Sequence, residues 1–211
     1  MVALVVLLLG IFKAINYLPD MLRGELFGIT TSYWLMISIA IPIVHQTYVW
    51  LSWRLELHHQ KLSKLLGSKA FPVYKLGFLI LFFGRIVSII LLAASNKNTV
   101  SIDADLKYGL SLVIGILFLY SIHSVLSYFG MNRAVGLDHF DPKMAQLPFV
   151  KKGVFKYTSN AMYAIVFLVI YLPGILYESS AGLLVGLFSH CYIWVHYYCT
   201  ELPDIRIIYK N

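Results

Sequence analysis

The sequence predicts an all-α, polytopic membrane helix bundle of about six transmembrane helices with a C-terminal helical hairpin. Three observations predict it. The 211 residues are 59% hydrophobic and only 13% charged, where soluble domains carry about 25% charged residues. So few charges cannot cover the surface of a water-soluble globule. The apolar residues gather into six runs, at 2–18, 30–52, 72–95, 107–129, 160–177 and 181–199, each near the roughly 20 residues that a bilayer-crossing helix needs. The basic residues fall almost entirely in alternate connections between those runs.

The first run, 2–18, is the shortest. It lacks the basic n-region and the small-residue cleavage site of a signal peptide, so it reads as a span. Tyr33, Trp34, Trp50, Trp53, Tyr177, Tyr197 and Tyr198 crowd the span ends, where amphipathic rings anchor at the membrane interface. Lys13 falls inside the first span and Arg85 inside the third. Intramembrane charge is costly and points to function by default. Both lie past mid-span, where a long side chain can snorkel outward, and no acidic residue sits in a span to pair with Arg85, which leaves it a candidate for a lipid headgroup. His123, His190 and His196 read as interior hydrogen-bonded residues, with His196 near enough to Glu201 to touch a site there. Cys191 and Cys199 would stand about 12 Å apart on one helix at 1.5 Å per residue, too far for a disulfide, and read as buried thiols.

Counting charges across six spans sets the topology. Arg54, Lys61, Lys64, Lys69, Arg133, Lys143, Lys151, Lys152, Lys156, Arg206 and Lys210 share one side; Arg23, Lys97 and Lys107 have the other. The positive-inside rule therefore predicts both termini and both basic connections, 53–71 and 130–159, in the cytoplasm. The net charge of +7 is then mainly a topology signal, with some attraction to anionic lipid. The basic residues abut spans and carry no nucleic-acid motif, so a nucleic-acid partner is not expected. His58 and His59 have no further ligands at metal-binding spacing, so no metal site is expected. With no internal repeat, residues 1–211 read as a single integral membrane domain. The absence of repeats, broken helices and paired intramembrane charges argues against a transporter.

The last pair of spans is joined by Glu178-Ser179-Ser180, a very tight turn. The arms before and after it hold about 18 and 20 residues, a difference of about 3 Å of rise. Asn160 and Glu201 should therefore meet in depth at the mouth of one hairpin. Each has a plain reading. Ser159 or Asn160 can cap the fifth span, Glu201 can be a solvated residue where the helix ends before Pro203, and Tyr157 and Tyr163 can be interfacial aromatics.

Two strings flank this hairpin: Gly153-Val-Phe155-Lys156-Tyr157, running on to Asn160-Ala161-Met162-Tyr163, and Glu201-Leu202-Pro203 with Tyr209 six residues later. Together with Tyr128-Phe-Gly-Met131 they resemble the integral-membrane methyltransferases that use S-adenosylmethionine, the group holding phosphatidylethanolamine N-methyltransferases and isoprenylcysteine carboxyl methyltransferases. The resemblance covers residues 125–211, which it implies are the cofactor-binding part. Ala161 stands where that group has proline. Leu202 stands where it has a second glutamate, which removes a carboxylate from the expected cofactor contact.

The resemblance implies S-adenosylmethionine as cofactor, a membrane lipid as substrate, and Gly136, Lys156, Tyr157, Asn160, Met162, Tyr163 and Glu201 as cofactor-binding residues. The chemistry agrees: the diol and ammonium need an acidic acceptor, which Glu201 can be, and the carboxylate needs donors, such as Lys156, Asn160 and the free N–H groups where the fifth span begins. In Gly130–Asp141, Gly136 can let backbone approach a ligand, Arg133 can bind phosphate or carboxylate, and Asp138 and His139 are candidate proton acceptors; His139 is the favoured catalytic base. The same stretch can also be a solvated loop turning at Gly136. Asn160-Ala-Met-Tyr163 and Glu201-Leu-Pro203 are closer to the phosphatidylethanolamine branch, so the expected acceptor is that amine or its methylated derivatives, entering sideways from the bilayer. The alternatives are carboxyl methylation of prenylated cysteine, held by Arg133, Lys151 or Lys152, and a non-catalytic membrane scaffold, which Leu202 favours.

Overall fold

The structure, a computed structural model, describes residues 2–209; Lys210, counted above among the basic residues, lies outside them. Helices α1 (Val2–Tyr17), α2 (Thr31–His59), α4 (Ala70–Ser95) and α5 (Ala104–Ser124) carry the first four apolar runs. The fifth run is built from α7 (Ala161–Ala164), a 3-10 stretch over Val166–Tyr171 and α8 (Leu172–Leu176). The sixth is α9 (Ser180–His196), which runs through a π-helical turn, Tyr197–Glu201, into α10 (Leu202–Ile208). Thr31–His59, Lys61–Ser95 and Ala104–Phe129 are each long and apolar enough to cross a membrane, while Val2–Tyr17 and Ala161–Leu176 are shorter apolar helices. The only strands among the described residues, β1 (Glu25–Leu26) and β2 (Ile29–Thr30), form a minimal antiparallel hairpin ahead of α2. The protein is an all-α membrane bundle.

Helix α9 is central, packing against α1, α2, α4 and α8. Its core with α2 and α4 is apolar: Leu35, Ile89, Leu92, Ala181 and Val185 interlock with Met21 and Ile170. Glycines set the closeness of the hairpin. A Cβ on Gly174 would lie 2.7 Å from the Leu183 nitrogen, and one on Gly182 would lie 3.0 Å from the Gly174 Cα. In lipid, where burying apolar surface gives little drive, such backbone approach supplies the packing.

One end of the bundle is tied by Asn96, which is 1% exposed. Its amide donates to the carbonyls of Asp20 and Arg23. Its oxygen accepts from Ser179 Oγ, Ala181 N and Thr99 Oγ1. Ser179 in turn caps α9 by accepting from Gly182 N. The turn is as tight as the sequence suggests, with Glu178 in the left-handed region at φ 52°. At the other end α2 overruns its expected limit and reaches His59, so His58 and His59 form its last turn rather than a loop. There the buried Glu56 carboxylate accepts from the amides of Leu62 and Ser63 and from the Ser63 hydroxyl, which orders the start of α3 (Lys61–Leu66).

Several expectations about single residues are corrected. Arg85 does not snorkel: it is 3% exposed, and its guanidinium lies 5.3 Å over the Phe167 ring inside the bundle. Trp53 is not an interfacial anchor but a buried wall residue. His123 faces outward, whereas His190 bonds inside to the Tyr163 carbonyl and the Tyr171 hydroxyl. Both cysteines are free, but Cys199 is exposed. The chain does not leave the helix before Pro203, because a proline in the first turn of a new helix loses no bond it would have made.

Candidate functional site

The hairpin mouth is built by geometry that apolar patterning does not encode. The 3-10 stretch in the first arm rises about 2.0 Å per residue instead of 1.5 Å. Over Val166–Tyr171 this lengthens the arm by about 3 Å, which makes up its two-residue deficit. Asn160 and Glu201 thus reach the same level, and both line one cavity of about 580 Å³. Small-molecule sites commonly fall between about 300 and 1,000 Å³.

The cavity draws on four parts of the chain. From the last third of α2 comes Trp53; from the connection after α5, which includes the single turn α6 (Met131–Ala134), come Phe129, Arg133, Gly136, Asp138 and His139; from α7 and the approach to it come Lys151, Phe155, Lys156, Ser159, Asn160, Met162 and Tyr163; from the π-helical turn, α10 and its end come Tyr197, Glu201, Leu202, Ile205 and Tyr209. Nearly every candidate site residue read from the sequence is here. The exception is Tyr157, which is 74% exposed and faces away. His196 also falls short, lying behind Trp53 with ring centroids 5.5 Å apart.

Glu201 is not a solvated residue. Its carboxylate accepts a hydrogen bond from the Tyr163 hydroxyl, across the two arms of the hairpin, and what exposure it keeps is toward the cavity. It stands two residues beyond the apolar run, and burial pushes its carboxyl up to about 7. The Tyr163 bond opposes that rise, while the charges of Asp138 and Asp204 add to it. Asn160 occupies the first position before α7 but makes no side-chain cap, so its carboxamide is free for a ligand. The N–H groups expected to greet an anion there belong to a single turn, Ala161–Ala164, too short to count as a helix N-terminus.

A second group of charges closes one wall. Arg133 Nε is 3.3 Å from Asp138 Oδ2, Arg133 Nη2 donates to the Tyr209 hydroxyl at 2.7 Å, and Tyr209 donates to Asp138. Burial, followed by the bond to Asp138, pushes the Tyr209 phenol up to about 12, so it remains a donor. Arg133 is spent on these partners and on the Pro148 carbonyl at 3.4 Å. Asp138 Oδ1 is buried without a hydrogen-bond partner.

His139 is more constrained than the sequence suggests. Its Nδ1 is 3.3 Å from the Gly136 carbonyl and its Nε2 is 3.2 Å from Asp204 Oδ2. Both nitrogens face acceptors, so neither offers a lone pair to the cavity. The ring stacks on Trp53 at 4.0 Å and 15°, and the Trp53 nitrogen donates to the Tyr74 hydroxyl at 2.8 Å. Gly136 is required beside it. Its φ is 93°, and a Cβ there would sit 2.5 Å from the Trp53 ring.

Sequence reading missed Trp53, Arg54 and Asp204. Trp53 read as an anchor because its position matches a span end. Asp204 had a signal: it follows Glu201 by three residues, on one helix face. Among the described residues no cluster of three His, Cys, Asp or Glu side chains is arranged to hold a metal.

A family model described as phospholipid methyltransferase matches residues 106–211. No curated protein and no solved structure matches the chain.

Proposed function

Because the chain belongs to the phospholipid methyltransferase family, we propose that it uses S-adenosylmethionine to methylate the amine of phosphatidylethanolamine or its methylated derivatives, with both termini and the cavity mouth on the cytoplasmic side. The observation that carries the reading is the cavity at the hairpin mouth, where both polar strings converge on a carboxylate, a free carboxamide and aromatic faces. Residues 125–211 are the cofactor-binding part within one membrane domain.

The donor set suits the cofactor. Glu201 is the acceptor for its diol or ammonium, oriented by Tyr163. Asn160 and Lys156 donate to its carboxylate. The rings of Tyr163, Tyr197 and Phe155 supply faces for a cation. Gly136 lets the turn approach closely, and Met162 completes the apolar wall. Bound S-adenosylmethionine supplies a methyl group on a positively charged sulfur.

An ammonium headgroup is not a nucleophile until it loses a proton. We assign that proton to Asp138, whose Oδ1 is unpartnered, rather than to His139, whose nitrogens are both engaged. Arg133 holds Asp138 and is not free for substrate; the lipid phosphate falls to Lys151 on the cavity rim. The net effect is to hold an amine and a methyl donor together in a site lined largely by apolar groups, which is where proximity and orientation accelerate transfer most.

The test uses liposomes containing the purified protein and labelled S-adenosylmethionine, with phosphatidylethanolamine in one arm and a prenylated cysteine analogue in the other. Label in phospholipid is expected. Label only in the prenylcysteine methyl ester overturns the acceptor, and failure to bind the cofactor at all overturns the enzyme reading in favour of a scaffold.

A further inference from the structure

We propose that Asp204 is a positioning residue for this site, holding the Gly136–His139 turn, and with it Asp138, against the cavity through His139 and Arg54. The role in methyl transfer rests on the functional reading above; the hold on the turn rests on geometry alone.

Asp204 is wholly buried, near the start of α10. Its two oxygens are divided between two parts of the chain. Oδ1 is 2.9 Å from Arg54 Nη1 on α2, and Oδ2 is 3.2 Å from His139 Nε2 in the turn. The second His139 nitrogen meets the Gly136 carbonyl, so the contact with Asp204 is transmitted into the backbone of the turn. Trp53, next to Arg54 in sequence, presses its ring flat on His139 from the other side. One carboxylate therefore joins α2, α10 and the turn.

Stability alone is a poor reason for this arrangement. Taking charges out of water at a buried pair offsets most of their attraction, and apolar side chains of equal volume commonly serve as well. What these contacts add is direction. Asp138 lies between the two anchored residues of the turn, Gly136 and His139. Its Oδ2 is fixed by Arg133 and Tyr209, so the orientation of the unpartnered Oδ1 depends on the turn staying in place. Asp204 does not line the cavity, whereas Trp53, Gly136, Asp138 and His139 do. It acts on the site through them.

The experiment compares Asp204→Asn, Asp204→Glu, Arg54→Gln, His139→Gln and the Asp204→Asn/His139→Gln pair in lipid nanodiscs. Hydrogen exchange is read in the 134–141 segment, with 161–176 as internal control, alongside S-adenosylmethionine Kd and kcat for phospholipid. Loss of a charge-assisted bond is expected to raise exchange in 134–141 and lower kcat by about tenfold or more in Asp204→Asn, with exchange in 161–176 and cofactor Kd each within about threefold. Asp204→Glu should restore most of kcat, Arg54→Gln should loosen the same segment, and the double variant should lose less than the two single losses combined, because both singles remove the shared His139–Asp204 contact while the Arg54 contact is lost only with Asp204. Wild-type exchange of the turn in both Asp204→Asn and Arg54→Gln overturns the proposal. So does a parallel loss of kcat, Kd and protection throughout the chain, or an additive double variant. Should the wild type methylate nothing, the functional reading fails, and the exchange data alone decide whether Asp204 holds the turn.

Discussion

Replacing Glu201 with Gln tests the site at its most specific point. The substitution keeps shape and the Tyr163 bond, since a Gln oxygen still accepts from that hydroxyl, and it removes only the charge. A charge-assisted hydrogen bond to a bound diol or ammonium contributes about 1.5–3 kcal/mol, so S-adenosylmethionine affinity should fall roughly ten- to a hundredfold. The pH dependence sharpens the test. With its carboxyl raised to about 7 by burial, wild-type Glu201 should lose its charge as pH falls below 7, and cofactor affinity should decline with it. Glu201→Gln should bind weakly at every pH, without that slope. Stability runs the other way. Because the folded-state value is raised from 4.5 to about 7, the folded protein binds the extra proton between those values, and wild-type stability falls as pH rises through that window. Glu201→Gln should therefore melt higher than wild type at pH 8, with the gap closing toward pH 4.5. Isothermal titration and thermal melts in detergent measure both. Unchanged affinity with a pH slope identical to wild type would refute the reasoning, returning Glu201 to a structural role.

The remaining expectations address packing, the outlying tyrosine and topology. Gly174→Ala brings a Cβ against the Leu183 backbone nitrogen and should destabilise the hairpin by about 1–3 kcal/mol, as overpacking does; a melting temperature unchanged from wild type would show the arms can separate freely. Tyr157→Ala should leave cofactor affinity within about twofold, because an exposed ring away from the cavity makes no contact to lose, typical of surface substitutions; titration of the variant checks it. Single cysteines at Lys64 and Lys152 should both react from the cytoplasmic side with a membrane-impermeant reagent, and labelling from opposite faces would break the proposed topology.

What was legible in the sequence follows from what the bilayer enforces. Apolar runs, the short Glu178-Ser179-Ser180 turn and the asymmetry of Lys and Arg are local properties, each acting over a few residues, and they were enough to predict an all-α membrane bundle and the approach of Asn160 to Glu201. Tertiary structure decided the rest, wherever partners lie far apart in the chain. Arg54, His139 and Asp204 meet across about 150 residues of sequence, and no period or spacing announces such a cluster. The same holds for Trp53, whose place at a span end is that of an anchor until His139 and Gly136 come to rest on it. It holds for Arg85, which packs over Phe167 because neighbouring helices cover it, although its own helix leaves it free to reach outward. His139 is the clearest case. A histidine in a polar loop has two nitrogens open to chemistry, and only folding, by bringing an acceptor to each of them, removes it as a base and leaves an oxygen of Asp138 facing no partner.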